Sequence, residues 1–202
     1  MKIIITSGGT REPIDPVRFI GNYSTGKMGA ALAKAFKGHD VTVIAGNSEV
    51  EYDAKVIKIE TADQMLEAAE SCLPCDIFIA AAAVADKKPK YFYKDKIKKY
   101  KLKKIILENN PDILATISQH KNRPKLVIGF AAESENHLKN ARRKLTKKSC
   151  DLIVLNDIKA LGSDENEVLV IGKDFEKKIT KASKDKVAKE ILKIAEDIYG
   201  ER

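Results

Sequence analysis

The sequence predicts an α/β fold with a mostly parallel sheet, and three observations support this prediction. Short apolar runs alternate with segments of helical periodicity along most of the chain. The runs are almost continuously apolar, which is typical of strands buried on both faces, as in a parallel sheet. Glycine and polar residues follow the runs directly, at the positions where such strands end. Together these features predict a Rossmann-like, doubly wound sheet.

Five apolar runs are the predicted strands of this sheet, and the segments between them are predicted helices. Thr61 is a predicted N-cap, and Asn110 is predicted to cap a helix that has Pro111 in its first position. The strands are predicted over residues 2–6, 40–45, 76–83, 125–130 and 151–155, and the helices over residues 26–36, 61–71, 111–119 and 135–149.

The pattern changes after Asn156-Asp157. Residues 167–172 and 177–180 are predicted to form a C-terminal antiparallel extension of the sheet. A closing helix is predicted over residues 184–198, with Ser183 as its N-cap. The length suits one core, so we predict a single domain over residues 1–202.

The formal net charge of +8 is concentrated in one place. Residues 87–104, KKPKYFYKDKIKKYKLKK, contain ten lysines and one acidic residue, Asp95; we call them the lysine-rich segment. Such a run is commonly a solvated loop or a nucleic-acid patch, especially with aromatic residues interleaved. In an enzyme it can instead be a lid over an anionic ligand.

The composition predicts a cytoplasmic protein that has no membrane partner. The sequence has no apolar run of about 18 residues and no charged-then-apolar leader. The three cysteines, Cys72, Cys75 and Cys150, do not make a disulfide framework. Cys72 and Cys75 spell C-x-x-C, but the pair precedes a predicted strand, so redox chemistry is not expected. The histidines lack metal-ligand spacing, and no metal site is predicted.

The stretch GNYSTGKM differs from the phosphate-binding pattern G-x-x-x-x-G-K-[ST] only in its last residue, Met28. A thioether cannot replace the hydroxyl that binds Mg²⁺ in that pattern. A glycine-rich helix start near Gly26 can still present unpaired N–H groups to a phosphate. The turn after the first strand, formed by Ser7, Gly8 and Gly9, is a second predicted phosphate cradle. A phosphorylated ligand is therefore expected.

Polar groups follow four of the predicted strands. Because the carboxyl ends of parallel strands meet at one edge of a sheet, these groups should line a common crevice. They lie in residues 6–10 (TSGGT), 83–86 (AVAD), 130–133 (FAAE) and 156–157 (ND).

Six separated motifs resemble one enzyme family. They are residues 5–29 (ITSGGTREPIDPVRFIGNYSTGKMG), 82–86 (AAVAD), 96–99 (KIKK), 110–113 (NPDI), 129–133 (GFAAE) and 156–157 (ND). In sequence and order they resemble phosphopantothenoylcysteine synthetase, the ligase of coenzyme A biosynthesis that joins 4′-phosphopantothenate to cysteine. The resemblance covers nearly the whole chain. One departure is Gly9, where the bacterial pattern usually has proline.

The resemblance implies a reaction in two steps. The pantothenate carboxylate attacks the α-phosphate of a nucleoside triphosphate and releases pyrophosphate, and the cysteine amine then displaces the nucleotide from the acyl-nucleotidylate. Mg²⁺ is expected with the triphosphate, CTP is favoured over ATP, and no flavin is expected. Both steps build negative charge on oxygen, so positioning and electrostatic stabilisation should dominate catalysis.

The resemblance also assigns residues to roles. Lys96, in the lid, matches the lysine that offsets charge on the α-phosphate, and Asn22 matches the asparagine that holds the acyl-nucleotidylate. Arg18 and Asn22 match substrate-binding positions, and Ala83 is placed to contact substrate through its backbone. The nucleotide-binding positions are matched by Asp86, Lys96, Pro111, Asp112, Ile113, Leu114, Phe130, Lys144 and Lys148.

In the family the site lies at a dimer interface, so a homodimer with shared active sites is implied. The family unit is often fused behind a flavin-dependent decarboxylase, and nothing in these 202 residues resembles one. A separate decarboxylase is therefore a possible partner.

Two other functions fit parts of the sequence. Tyr23–Lys27 and Tyr100–Lys104 both spell Y-x-x-x-K, as in some NAD(P)-dependent oxidoreductases, but the G-x-G-x-x-G turn is absent after the first strand. A nucleic-acid-binding module could use the lysine-rich segment. The order and spacing of the six motifs favour the ligase, and no nucleic-acid partner is predicted.

Overall fold

The computed structural model describes residues 1–133, 137–157 and 162–200. Its strands are β1 (Lys2–Ser7), β2 (Arg11–Pro13), β3 (Phe19–Gly21), β4 (Asp40–Ala45), β5 (Lys55–Lys58), β6 (Ile77–Ala80), β7 (Lys87–Pro89), β8 (Leu107–Asn109), β9 (Leu126–Glu133), β10 (Leu152–Asp157), β11 (Glu165–Ile171) and β12 (Glu176–Ser183). The helices are α1 (Lys27–Ala35), α2 (Ala62–Ser71), α3 (Ile113–Ser118), α4 (His137–Lys148) and α5 (Lys184–Gly200).

An eight-stranded sheet in the order β12-β11-β10-β9-β6-β1-β4-β5 forms the centre. The six strands from β10 to β5 pair in parallel, whereas β10–β11 and β11–β12 pair antiparallel. The predicted α/β class, the mostly parallel sheet and the C-terminal antiparallel extension are confirmed. The chain runs from β1 to one side and returns to the other side at β6, which makes the edge between them the ligand crevice of such sheets.

Two apolar layers cover the sheet, one on each face. Ile3 and Ile5 pack with α1 and α5 on one face, and Ile4 and Phe78 pack with α2, α3 and α4 on the other. All four side chains are completely buried. Burial on both faces explains why the strands read as continuous apolar runs.

The structure adds strands that the sequence did not predict. The edge strand β5 is mostly exposed, and two hairpins, β2–β3 and β7–β8, stand beside the main sheet. The β7–β8 hairpin forms the base of the lysine-rich segment, which leaves residues 90–106 as the excursion between its strands. No helix in the described parts of the chain is long and apolar enough to cross a membrane.

The helix caps were mostly predicted correctly. Thr61 forms a capping box with Gln64, and the Ser183 hydroxyl accepts a hydrogen bond from the Lys186 N–H at 3.3 Å. The prediction for Asn110 was wrong, because α3 begins at Ile113 and its N-cap is Asp112. The predicted start of the fourth helix, at Glu135, lies outside the described residues.

Candidate active site

A cleft of about 1630 Å³ lies at the carboxyl edge of the parallel strands. Its walls are residues 9–11 after β1, the turn of residues 80–87 after β6, the starts of α1 and α3, one face of α4, and part of β9. Of the residues assigned to roles in the sequence analysis, those lining it are Gly9, Asn22, Ala83, Asp86, Pro111, Asp112, Ile113, Leu114, Phe130, Lys144 and Lys148. Side chains far apart in sequence therefore share one crevice.

Threonine hydroxyls on the first strand and just after it hold the turn that follows β6. Thr6 Oγ1 accepts a hydrogen bond from the Ala82 N–H at 3.3 Å, and Thr10 Oγ1 accepts one from the Ala85 N–H at 3.0 Å. Both threonines are buried. The backbone beside Ala83 is thus fixed by the sheet rather than by a mobile loop.

Two asparagines complete this turn. Asn22 Nδ2 donates to the Val84 carbonyl at 2.9 Å, and Asn110 Nδ2 donates to the Ala85 carbonyl at 2.7 Å. The Asn110 N–H also donates to the Asp86 carbonyl at 3.0 Å. Asn110 therefore supports the turn instead of capping α3, and the Asp86 side chain remains exposed at the cleft wall.

The opposite wall combines an apolar surface with lysines. Leu114 on α3 packs closely against β9 because Gly129 has no side chain: a Cβ there would lie 2.5 Å from a Leu114 methyl carbon. The Lys148 ammonium contacts the Asp112 carboxylate, which also caps α3 by accepting the Ala115 N–H at 3.1 Å. An apolar shelf beside lysines on α4 suits the base and phosphates of a nucleotide.

The start of α1 is a glycine-rich turn. Gly26 is the N-cap residue, has φ 78°, and provides no side-chain cap. The first turn of α1 packs closely on the end of β1 because residue 29 is glycine: a Cβ there would lie 2.0 Å from Ser7 Oγ. The Ser7 hydroxyl donates to the Gly26 carbonyl at 3.3 Å and accepts from Tyr52 at 3.0 Å. Ser7 therefore supports the turn from beneath, and it does not line the cleft.

The Gly8–Gly9 turn, predicted to be a phosphate cradle, has the Gly9 N–H bonded within the protein. The Gly9 N–H donates to the Asn47 carbonyl at 2.9 Å, and the Asn47 N–H donates to the Gly9 carbonyl at 2.8 Å. The Gly9 N–H is therefore already used in a hydrogen bond within the protein. Glycine at position 9 instead permits close packing, because a Cβ there would lie 2.7 Å from the Asn22 carbonyl oxygen, while Gly8, with φ 75°, does not line the cleft.

Arg18 and Lys96 also lie outside the cleft lining. The Arg18 guanidinium contacts the Asp15 carboxylate and donates to the Ile97 carbonyl at 2.6 Å. Lys96 is exposed on the lysine-rich segment. Arg18 therefore contacts the backbone of Ile97, the residue that follows Lys96. Neither Arg18 nor Lys96 lies with the other assigned side chains in the cleft lining.

Asp15 anchors the lysine-rich segment to the loop between β2 and β3. Its carboxylate accepts hydrogen bonds from the N–H groups of Val17, at 2.9 Å, and Ile97, at 3.1 Å. Burial raises the pKa of the Asp15 carboxyl, but these bonds and those from Arg18 outweigh it and lower the pKa to about 2. The carboxylate is therefore charged under all ordinary conditions.

The cysteines are buried free thiols. Burial raises the pKa of Cys75 and of Cys150 to about 12. Because thiolates are the reactive form, neither group is a candidate nucleophile or redox centre.

Comparison with known proteins decides the family. Residues 1–198 match the model described as the DNA/pantothenate metabolism flavoprotein C-terminal domain. The chain belongs to this family. The coenzyme A biosynthesis bifunctional protein CoaBC of Borreliella burgdorferi is similar to it: the two are 45% identical over an alignment of 201 positions, which covers 96% of this chain and 52% of that protein.

Other comparisons agree. The CoaBC protein of Thermococcus kodakarensis is 38% identical over an alignment of 200 positions, which covers 94% of this chain and 49% of that protein. A crystal structure of the C-terminal domain of a CoaBC protein has a TM-score of 0.86 at 37% identity, and the match covers 100% of this chain and 96% of that one. The chain spans about half the length of the curated relatives it matches.

The sequence analysis missed several residues of the cleft, among them Lys27, Asn166 and Lys184. Lys27 stands in the glycine-rich stretch, so its position could have suggested a role. Asn166 and Lys184 belong to the antiparallel extension and the helix after it, where no motif distinguished them from ordinary surface residues.

Proposed function

We propose that this chain is a cytoplasmic phosphopantothenate–cysteine ligase of coenzyme A biosynthesis, acting as a single domain. The observation that carries the proposal is the shared cleft: Asn22, Ala83, Asp86 and Phe130, assigned to substrate or nucleotide from their motifs, line it together. The names of the relatives, which refer to coenzyme A biosynthesis, support the same pathway.

The cleft suits the two-step reaction. The carboxylate of 4′-phosphopantothenate attacks the α-phosphorus of a nucleoside triphosphate, and pyrophosphate leaves. The cysteine amine then attacks the acyl carbon of the acyl-nucleotidylate, and the nucleoside monophosphate leaves. Asn22, fixed against the Val84 carbonyl at 2.9 Å, would hold the intermediate, while Lys144 and Lys148 would bind the nucleotide. Fixed donors of this kind stabilise charge without reorganisation.

Mg²⁺ would enter with the triphosphate. In the described part of the chain, no group of three or more His, Cys, Asp or Glu side chains could hold a metal ion. Phosphate oxygens and water would therefore supply most of its ligands, with the exposed Asp86 carboxylate within the same cleft. The bound ion would offset negative charge on the phosphates, and no flavin is expected.

We further propose that two copies form a homodimer that shares the active sites. Large apolar side chains are exposed on the cleft wall, in the loop between β2 and β3, and on the lysine-rich segment: Tyr23 is 96%, Val17 59% and Phe92 57% exposed. An exposed apolar surface of this kind is typical of an interaction site. A separate decarboxylase remains a proposed partner.

The function is tested by incubating the purified chain with 4′-phosphopantothenate, cysteine, Mg²⁺ and either CTP or ATP. We expect pyrophosphate and 4′-phosphopantothenoylcysteine to form in equal amounts, faster with CTP. The control omits cysteine and should leave the acyl-nucleotidylate bound. Absence of product with both nucleotides would refute the ligase.

Replacing Asn22 with aspartate should make the acyl-nucleotidylate accumulate in the complete reaction, because a carboxylate beside the intermediate would slow its breakdown by cysteine. Mass spectrometry of quenched reactions measures the intermediate. The unsubstituted chain, quenched at the same turnover, is the reference. An equal amount of intermediate in both would remove Asn22 from the second step.

A further inference from the structure

Glu12, on β2, is a buried carboxylate that the proposed mechanism leaves unused. The residue is 1% exposed, although a carboxylate in the protein interior costs free energy unless nearby groups compensate it. Its Oε1 atom accepts a hydrogen bond from the Ala62 N–H at 3.0 Å. Ala62 is the first residue of α2, so Glu12 lies at the positive end of a helix.

The helix does not need Glu12 in order to begin. Thr61 and Gln64 already form a complete capping box: Thr61 Oγ1 accepts from the Gln64 N–H at 3.3 Å, and Gln64 Oε1 accepts from the Thr61 N–H at 3.2 Å. The bond from Ala62 to Glu12 instead joins two parts of the chain that are 50 residues apart. Its structural effect is therefore to fix β2 relative to α2.

The position of β2 decides where Asn22 lies. The β2–β3 hairpin is separate from the central sheet, and the pairing of Glu12 with Ile20 places Asn22 just beyond the end of β3. A two-stranded hairpin has little stability of its own. Its position therefore depends on contacts such as the Glu12 bond and the bond from the Arg11 N–H to the Glu60 carbonyl at 2.8 Å.

The start of α2 also holds the group that Asn22 binds. Asn22 donates to the Val84 carbonyl in the turn after β6, and β7 follows that turn. Lys88, on β7, has its ammonium 2.5 Å from the carboxylate of Asp63, the second residue of α2. Two adjacent residues of one helix thus hold β2, through Ala62, and β7, through Asp63.

Lys88 also compensates the charge of Glu12. Its hydrogen bond to Asp63 raises the pKa of Lys88, and the negative charges of Asp63, Glu108 and Glu12 raise it further against the opposing effect of burial. The Lys88 side chain is only 23% exposed, so solvent screens these charges incompletely. A buried carboxylate attracted by both an ammonium group and a helix start is held firmly in place.

We propose that Glu12 is a positioning residue, which holds Asn22 against the turn after β6 while the acyl-nucleotidylate is consumed. This inference rests on the proposed function, and Glu12 itself does not line the cleft. In this step the cysteine nitrogen bonds to the acyl carbon and loses a proton to water. The bond from that carbon to the phosphate oxygen breaks, and its electron pair leaves with the nucleotide. A fixed Asn22 needs no reorganisation as charge develops.

The test measures the two steps separately in Glu12→Gln, which keeps the shape of the side chain and removes its charge. Incubation with 4′-phosphopantothenate, CTP and Mg²⁺ but no cysteine measures the first step as pyrophosphate released. Cysteine is then added, and mass spectrometry follows the decay of the acyl-nucleotidylate. We expect the same amount of pyrophosphate per chain as in the unsubstituted protein and a decay at least about tenfold slower, because small displacements of a positioned group have large effects on rate.

Hydrogen exchange measures the contact itself, and Glu108→Gln is the matched control. The Ala62 amide should exchange faster in Glu12→Gln, because a hydrogen bond to a charged acceptor is roughly twice as strong as one to a neutral acceptor. Glu108→Gln makes the same chemical change in an exposed residue on β8, whose charge also acts on Lys88. It should alter neither Ala62 exchange nor the decay of the intermediate.

A merely structural role for Glu12 gives a different result. A smaller folded fraction would lower the amount of pyrophosphate and leave the decay rate of the remaining intermediate unchanged. That outcome, or an unchanged decay rate with an unchanged amount of pyrophosphate, would overturn the positioning role and keep the ligase. Absence of pyrophosphate from the unsubstituted chain, with CTP and with ATP, would overturn the ligase and this inference with it.

Discussion

Replacing Lys96 with glutamine is expected to lower the kcat of ligation about 100-fold or more, because losing one donor to the developing charge of a transition state costs that much. The expected cause is loss of the positive charge that the lysine-rich segment brings to the α-phosphate when it closes. Since Lys96 is exposed, the free energy of unfolding should stay within about 0.5 kcal/mol of its original value. Pyrophosphate release measures kcat, and denaturant titration measures stability.

Lys99→Gln is the control for this prediction. Lys99 is an exposed lysine of the same segment, so both variants remove one positive charge from the lysine-rich segment. A much smaller loss in Lys99→Gln would assign the effect to the position of Lys96. Equal losses would indicate a general electrostatic effect of the segment, and an unchanged kcat in Lys96→Gln would remove this residue from the mechanism.

Asp15→Asn is expected to release the lysine-rich segment and lower kcat/KM about tenfold, because hydrogen bonds to a charged group are among the stronger ones. The Asp15 side chain is fully buried and connects Arg18 to the Ile97 N–H. In hydrogen-exchange measurements the Ile97 amide should exchange faster. The amide of Ile79, in the sheet core, should keep its protection.

Asp95→Asn removes a carboxylate from the segment itself and is the control, since Asp95 is exposed. It should alter neither Ile97 exchange nor kcat/KM. An Asp15→Asn protein with normal Ile97 exchange would contradict the anchoring role, whereas loss of Ile79 protection would indicate global unfolding instead of release of the segment.

The same anchor predicts a pH dependence. The folded-state pKa of Asp15 is about 2, below the value of about 3.9 for an unfolded chain. Its contribution to stability is therefore complete above about pH 4 and is lost as the pH falls from there through the folded-state pKa. Ile97 exchange, corrected for its intrinsic pH dependence, should accelerate in this window, and in Asp15→Asn this extra acceleration should be absent.

Much of the central sheet could be predicted because burial on both faces leaves a local pattern. β4 was predicted with the observed bounds, Asp40–Ala45. β5 was missed because Lys55 and Lys58 flank only two apolar residues on an exposed edge. The β2–β3 hairpin was missed because its strands have three residues each, too few to show any periodicity.

The cap of α3 was predicted wrongly because Asn110 makes a contact with a distant part of the chain instead. Asn110 and Asp112 are both good N-cap residues, and the local sequence favoured Asn110 because proline follows it. In the folded chain the Asn110 amide bonds to the Ala85 carbonyl at 2.7 Å, a contact across 25 residues. Asp112 therefore caps the helix.

The sequence could determine which strands are buried, because that signal is carried by neighbouring residues, and their order placed the polar strand ends at one edge. Only the tertiary structure decided which polar groups are free to act there. It bonded the Gly9 N–H to Asn47, joined Arg18 to the lysine-rich segment, and brought Lys27 to Asp164 across 137 residues. Hydrogen bonds and charges act through space, so distance along the chain does not show which of them meet.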